Sequence, residues 1–151
     1  MNEILILEDD PRMGDWLKQQ LERRLGEDNC RIEILETESE FRQTWLDEYC
    51  GKRRPAPRVI VIDVMLPWTH PAKNQPARPL EVIEGGYIRA GLRCQAEIVK
   101  IEGLKNLPVI LYTSLTQDDL NKLKWEESDV LYVSKDDGEK IVDEVIKALA
   151  S

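Results

Sequence analysis

The sequence predicts an α/β fold in which a doubly wound, five-stranded parallel sheet is covered by helices on both faces. Short runs that are apolar at every position alternate along the chain with segments of helical periodicity. Wholly apolar runs are typical of strands buried on both faces of a parallel sheet, and strands that alternate with helices favour this architecture. The predicted strands are residues 4–7, 30–34, 59–62, 109–112 and 130–133.

Length and composition fit a single soluble globular domain spanning residues 1–151. Hydrophobic residues make up 42% of the chain, charged residues 33%, and the formal net charge is −8. This negative charge argues against direct binding to nucleic acids or membrane surfaces, and no apolar run is as long as a membrane span. The N-terminus lacks a signal-peptide pattern, and the three cysteines are far apart. We therefore expect a cytoplasmic protein without disulfides or a zinc site.

The first half of the chain predicts two helices. Pro11 suits a first helical turn, with Asp9 or Asp10 as the N-cap, and Gly26 ends that helix. Its apolar face is Met13, Trp16, Leu17, Leu21 and Leu25. Alternation over 30–34 predicts a strand nearer the sheet edge. A second helix is expected over about 39–49, with Phe41, Trp45 and Leu46 turned inward.

The second half predicts three more helices. One runs from about Leu80 or Gly86 to Ile101, and a short one runs from about Gln117 to Trp125. The last begins near Asp136. The expected inward residues are Ile88, Leu92 and Val99 in the first of these helices and Ile141, Val142, Val145, Ile146 and Leu149 in the last.

Residues 67–80 have no helical period and hold four of the eight prolines, together with Trp68 and His70. Loops of this length are uncommon in compact domains and are often functional. His70 is the only histidine, and a single histidine in a polar loop is rarely a metal ligand. We interpret the segment as a recognition surface for a partner.

Polar residues follow four of the predicted strands: Glu8 and Asp9, Asp63, Thr113 and Ser114, and Lys135. Alone, Asp63 would be read as a turn residue. The carboxyl ends of parallel strands meet at one edge, which is where open α/β sheets bind ligands. Carboxylates gathered there repel one another unless a cation lies among them, and hard oxygen ligands favour Mg²⁺.

The same strand ends predict phosphoryl chemistry. A carboxylate can accept a phosphoryl group as an acyl phosphate, as in aspartyl-phosphate enzymes. Mg²⁺, the Lys135 ammonium, the Thr113 hydroxyl and backbone N–H groups would meet the charge on the transferring oxygens.

Four stretches together resemble the receiver domain of two-component response regulators, from Ile4 to the C-terminus. Residues 6–11 (ILEDDP) are similar to the family's acidic pair, and 62–67 (IDVMLP) to its phosphoacceptor and following proline. Residues 108–114 (PVILYTS) are similar to its switch hydroxyl, and 132–135 (YVSK) to its switch aromatic and lysine. The resemblance implies a flavodoxin-like sheet with strand order 2-1-3-4-5. It also implies that the chain catalyses only its own phosphoryl transfer and dephosphorylation.

The resemblance also implies a ligand set and a reaction. Mg²⁺ is surrounded by the side chains of Glu8, Asp9 and Asp63 and by the carbonyl of Met65. Asp63 takes the phosphoryl group from a phosphohistidine on a sensor histidine kinase or a phosphotransfer protein. Output then passes to a downstream protein target by protein contact, with homodimerisation as one option, because no further domain is expected after the last helix.

Four residues are assigned further roles by the resemblance. Lys135 and Thr113 hold the phosphoryl oxygens, and Thr113 and Tyr132 move together on phosphorylation. Met65 and Leu115 occupy positions that tune the lifetime of the phosphoryl group. Both are apolar and offer water no useful hydrogen bond, so slow self-dephosphorylation is expected. The alternative is that both simply pack against the long loop.

The chain departs from the family pattern in the length of two connections, 67–84 and 51–58. The extended loop 67–84 lies beside Asp63 and bears on which kinase docks. The main alternative function is a receiver-like interaction module that works without phosphorylation. A phosphatase of the haloacid dehalogenase type would need an acid at Met65, and a flavodoxin-like FMN binder would need a glycine- and hydroxyl-rich loop at 8–10.

Overall fold

The computed structural model describes residues 1–70, 77–123 and 130–151, and within them five strands form one parallel sheet. The strands are β1 (Asn2–Leu7), β2 (Cys30–Leu35), β3 (Val59–Ile62), β4 (Val109–Thr113) and β5 (Leu131–Ser134). Their order is β2-β1-β3-β4-β5. The prediction of a doubly wound α/β sheet in the order 2-1-3-4-5 is therefore confirmed.

Helices cover both faces of this sheet. They are α1 (Pro11–Leu25), α2 (Leu46–Cys50), α3 (Leu80–Gly85), α4 (Ala90–Lys100), α5 (Gln117–Lys122) and α6 (Gly138–Ala150). A π-helical segment (Glu40–Trp45) leads directly into α2, and a 3-10 turn (Tyr87–Arg89) leads into α4. Trp125, the predicted end of α5, lies outside the described residues. No helix in the described part of the chain is long and apolar enough to cross a membrane.

The sheet separates two apolar cores because successive strand side chains point to opposite faces. In β1, Leu5 and Leu7 pack with α2, α4 and α5, whereas Ile4 and Ile6 pack with α1 and α6. All four residues of β3 are at most 1% exposed. The central strand is thus fixed from both sides, and so is the residue that follows it.

Local chemistry sets where α1 begins. Of the two acids that suited its N-cap, the structure selects Asp10, whose side chain accepts a hydrogen bond from Arg12 N at 2.9 Å. The helix ends at Gly26, whose φ of 90° favours glycine. With Asp10 used as the cap, Asp9 is left at the sheet edge.

The helix predicted from Leu80 or Gly86 to Ile101 is interrupted at Gly86, where φ is 71°, so the structure favours the later of the two predicted starts. The expected inward side chains are partly wrong. Ile88 and Val99 are 37% and 45% exposed, while Leu92 does pack against the core. The buried face of α4 is instead Ala90, Gly91, Cys94, Gln95 and Ile98.

The segment predicted as an extended loop over 67–84 becomes helical at Leu80, and its residues 71–76 lie outside the described residues. Its first part is hydrogen-bonded to the residues that follow β2. The carbonyls of Pro67 and Trp68 accept hydrogen bonds from Glu38 N and Ser39 N, both at 2.9 Å. Trp68 is only 5% exposed, so its ring is part of the fold and not an outward recognition surface.

A buried charge cluster ties this segment to α4. The carboxylate of Glu38 is fully buried and accepts two hydrogen bonds from Arg93, at 2.7 and 2.8 Å, and one from Arg42 at 3.0 Å. Arg42 also donates to Glu81 in α3 at 2.6 Å. A buried carboxylate needs such partners, because leaving it unpaired costs several kcal/mol, on the order of 3 to 5. The cluster therefore fixes α3 relative to α4.

Candidate functional site

Three carboxylates meet at the carboxyl edge of the sheet, as the strand ends predicted. Glu8, Asp9 and Asp63 each offer an oxygen within 4.8 Å of the others. Glu8 and Asp63 are only 3% and 4% exposed, whereas Asp9 is exposed. Backbone bonds that extend the sheet hold the two buried acids, since Asp63 N donates to Leu7 O at 2.9 Å and Glu8 N to Leu35 O at 2.9 Å.

Lys135 lies between the two buried acids. Its Nζ donates to Asp63 Oδ2 at 2.7 Å and is 2.5 Å from Glu8 Oε1. Burial lowers the pKa of Lys135, but its close contacts with the carboxylates of Asp63 and Glu8 outweigh this and raise the pKa above its ordinary value. The backbone holds the lysine in place, because Lys135 N donates to the Thr113 carbonyl at 3.0 Å.

The single positive charge of Lys135 does not offset the negative charge of the acids around it. Burial raises the pKa of Glu8 to about 8, the charge of Asp63 adds to the rise, and Lys135 opposes it. Glu8 Oε1 is fully buried and accepts no hydrogen bond of good geometry, although Nζ is close. The surplus negative charge and hard oxygen donors, one of them open to water at Asp9, fit a divalent cation.

Asp63 opens into a cavity of about 700 Å³. On the sheet side the cavity is lined by Asp9, Asp10, Asp63, Met65, Ser114 and Lys135. Its opposite wall comes from the long segment and α3, through Trp68, Thr69, Arg78, Val82, Ile83, Gly86 and Tyr87. The sequence predicted that the long segment lies beside Asp63, but nothing in its composition indicated which of its residues line the cavity.

The structure brings Met65 into this cavity, with its backbone N–H donating to Asp63 Oδ1 at 3.2 Å. Thr113 is fully buried, and its hydroxyl accepts a hydrogen bond from Leu115 N at 3.3 Å. Of the two predicted hydroxyl residues at the end of β4, Ser114 lines the cavity and Thr113 does not. The assigned roles of Met65 and Thr113 stay predictions.

Tyr132 connects β5 to the loop after β4. Its hydroxyl donates to the Leu115 carbonyl at 2.7 Å, and its half-buried ring packs against the core. Leu115 is thus bonded through its N–H to Thr113 and through its carbonyl to Tyr132. Three of the four residues with predicted switch or lifetime roles, Thr113, Leu115 and Tyr132, are therefore in one hydrogen-bonded chain.

Gly91 was not recognised from the sequence as part of the site. A Cβ there would lie 2.2 Å from the Asp63 carbonyl oxygen, so only glycine lets α4 approach the end of β3 this closely. Gly91 N also donates a hydrogen bond to the Val64 carbonyl at 2.8 Å, which holds α4 in this position. A glycine inside a helical pattern, away from any cap, was the available signal.

Comparison with known proteins gives structural but not sequence relatives. No protein-family model matches the chain, and no curated protein matches it. The phosphorylated cyanobacterial phytochrome response regulator RcpA is 17% identical, with a TM-score of 0.64, over 95% of this chain and 88% of that one. The Mn²⁺-bound form of response regulator Rcp1 is 21% identical, with a TM-score of 0.62, over 96% and 91%.

The signal receiver domain of a histidine kinase from Syntrophus aciditrophicus is 20% identical, with a TM-score of 0.66, over 99% of this chain and 91% of that one. The chain has the receiver-domain fold. At these identities the likeness shows the fold, and the receiver-type chemistry must be argued from the residues at the sheet edge.

We expect Glu8→Gln to change how the stability of the metal-free protein depends on pH. Glu8 has a folded pKa of about 8, above its ordinary value of 4.5, so it stays protonated longer when folded. Its contribution to stability is therefore present at low pH and is lost as the pH rises through about 8. In EDTA, the free energy of unfolding should fall between about pH 5.5 and 8 more steeply in wild type than in Glu8→Gln.

Urea denaturation at the two pH values makes this comparison. Glu102→Gln is the control, because that side chain is 87% exposed and should leave the wild-type slope unchanged. Identical slopes for wild type and Glu8→Gln would contradict the buried position of Glu8.

Proposed function

We propose that this chain is a response-regulator receiver that accepts a phosphoryl group on Asp63 from a phosphohistidine on a sensor histidine kinase or phosphotransfer protein. The observation that carries the proposal is the surroundings of Asp63. Asp63 is almost fully buried and accepts a hydrogen bond from Lys135 at 2.7 Å. It is clustered with Glu8 and Asp9 and is open to a cavity of about 700 Å³. The receiver-domain fold of the chain supports it.

The transfer is a nucleophilic displacement at phosphorus. A carboxylate oxygen of Asp63 forms the new P–O bond, the P–N bond of the phosphohistidine breaks, and the imidazole nitrogen keeps the electron pair. Lys135 already orients the carboxylate, and its ammonium can donate to a phosphoryl oxygen once the group is attached. The backbone N–H of Met65 also donates to the carboxylate and holds it in place.

We propose Mg²⁺ as the cofactor. Glu8, Asp9 and Asp63 would hold it, with the Met65 carbonyl as a further ligand. When bound, the ion supplies positive charge that offsets the three carboxylates and the phosphoryl oxygens. The Mn²⁺-bound form of Rcp1 supports a divalent ion in this fold, and the preference for Mg²⁺ is our inference from all-oxygen donors.

The signal would leave the site through the chain Thr113, Leu115 and Tyr132. A phosphoryl group on Asp63 draws the hydroxyl of Thr113 toward it, which disturbs the bond to Leu115 N. Because Leu115 is also bonded to Tyr132, β5 and the neighbouring helices α5 and α6 would change together. Contact with a downstream protein, homodimerisation and a cytoplasmic location stay predictions, and a phosphorylation-independent interaction module stays the alternative.

The first test is phosphorylation by the small donor phosphoramidate. Wild type should gain one phosphoryl group by intact mass, only when Mg²⁺ is present, and Asp63→Asn should gain none. Asp28→Asn is the matched control, since Asp28 is an exposed acid that does not line the cavity. Equal labelling of Asp63→Asn would exclude Asp63 as the acceptor, and an unlabelled wild type would favour the interaction module.

The second test concerns the lifetime of the phosphoryl group. Met65 lines the cavity and Leu115 is half-buried beside it, and neither side chain can orient an attacking water. We expect slow decay in wild type. We also expect Met65→Asn with Leu115→Glu to speed decay by roughly tenfold, about 1.4 kcal/mol of barrier.

Acid-quenched time courses in excess Mg²⁺ measure this decay. The control is Met65→Leu with Leu115→Met, which keeps both positions apolar and should decay as wild type does. A wild-type lifetime of seconds, or a polar double variant that decays no faster, would show that other residues control access of water.

A further inference from the structure

The segment after β3 exposes apolar side chains beside the cavity. Among the described residues, seven large apolar side chains are exposed, and four of them lie within residues 80–88. Leu80, Ile83 and Tyr87 are 67%, 62% and 65% exposed, and we call these three the apolar lip. Ile83 and Tyr87 also line the cavity that contains Asp63. The lip is therefore continuous with the mouth of the proposed phosphorylation site.

Polar contacts hold the lip in this orientation. Arg42 donates to Glu81 at 2.6 Å, and Arg93 donates to the Gly86 carbonyl at 2.8 Å. Leu66 N donates to the Tyr87 carbonyl at 3.2 Å. The segment thus turns polar groups toward the protein and apolar groups toward water. Clustered exposed apolar side chains of this kind mark a surface that a partner covers.

The cavity also presents a cation that has no partner among the described residues. Arg78 lines it and forms no ion pair or hydrogen bond with any described residue, whereas Lys135, the other cation of the lining, is bound to Glu8 and Asp63. A guanidinium is suited to phosphoryl oxygens because its donors match them in pairs. Arg78 is thus placed to meet an anionic group that enters from outside.

The size of the cavity indicates more than a phosphoryl group. Cavities of several hundred Å³ accept a ligand as large as a drug molecule, and this one measures about 700 Å³. A phosphoryl group with the imidazole that carries it would fit, with the atoms next to them resting on Ile83 and Tyr87.

We propose that the apolar lip and Arg78 form the docking surface for an α-helix of the phosphodonor protein. The helix places its phosphohistidine in the cavity, where Arg78 meets the phosphoryl oxygens, and lays an apolar stripe on the lip. This inference rests on the proposed function, in which Asp63 accepts the phosphoryl group. A donor fits better than a second copy of the chain because the lip borders the cavity of Asp63.

Phosphotransfer from two donors tests the docking surface. The donors are phosphoramidate and the autophosphorylated kinase that transfers fastest to wild type in a panel of histidine kinases from the source organism. Two variants are compared. The lip variant carries Ile83→Ser together with Tyr87→Ser, and the second variant carries Arg78→Gln alone. Val99→Ser is the matched control, since Val99 is apolar and 45% exposed but lies on α4 outside the lining of the cavity.

The lip variant should keep its rate with phosphoramidate and show a KM for the phosphorylated kinase about tenfold higher, because two apolar anchors are lost. Arg78→Gln should raise the KM for both donors, because both bring phosphoryl oxygens. Val99→Ser should change neither. The selective effect of the lip variant separates docking from a loss of folding, which would lower labelling by both donors equally. For Arg78→Gln the separation is an unchanged kcat beside the higher KM, because a loss of folded protein lowers the apparent kcat.

Three results would overturn the inference. The first is a lip variant that keeps the wild-type KM for the kinase. This result overturns the inference also if that variant loses a dimer that wild type forms in size-exclusion chromatography. The second is a lip variant equally impaired with both donors, and the third is wild type labelled by phosphoramidate but by no kinase. Wild type labelled by neither donor would overturn the proposed function itself, and the docking inference with it.

Discussion

The ammonium of Lys135 lies between two buried carboxylates, and the site depends on this contact. The sheet brings Glu8 and Asp63 together at its carboxyl edge because β1 and β3 are neighbours that end at the same level. Their negative charges would repel, and Lys135 reduces that repulsion from the end of β5. One positive charge against three carboxylates leaves the edge negative, and a divalent cation would offset the remaining charge.

The backbone around Asp63 is held as firmly as its side chain. The strand before it is buried on both faces, and α4 rests directly on Asp63 and Val64 because Gly91 has no side chain. The charge cluster around Glu38 then fixes α3 beside the cavity. An Asp63 held on both sides of its backbone and faced by a second wall supports the proposed transfer from a protein donor.

The sheet and the acidic edge could be predicted because each depends on neighbours in the sequence. The run at 59–62 is apolar at every position and ends on Asp63, and the same pattern places Glu8 and Lys135. The inward face of α4 could not be predicted, because the contact of Gly91 with the end of β3 decides it. The ion pairs of Glu38 and the place of Arg78 in the cavity depend equally on distant segments.

The most direct test of the central claim is a crystal structure of the protein with Mg²⁺ and beryllofluoride, which mimics a phosphoryl group on a carboxylate. We expect the beryllium fluoride on Asp63, with the Lys135 ammonium against a fluorine atom. We also expect the metal ion to contact Glu8, Asp9 and Asp63. A metal ion bound away from these carboxylates, or an Asp63 that stays unmodified, would contradict the account.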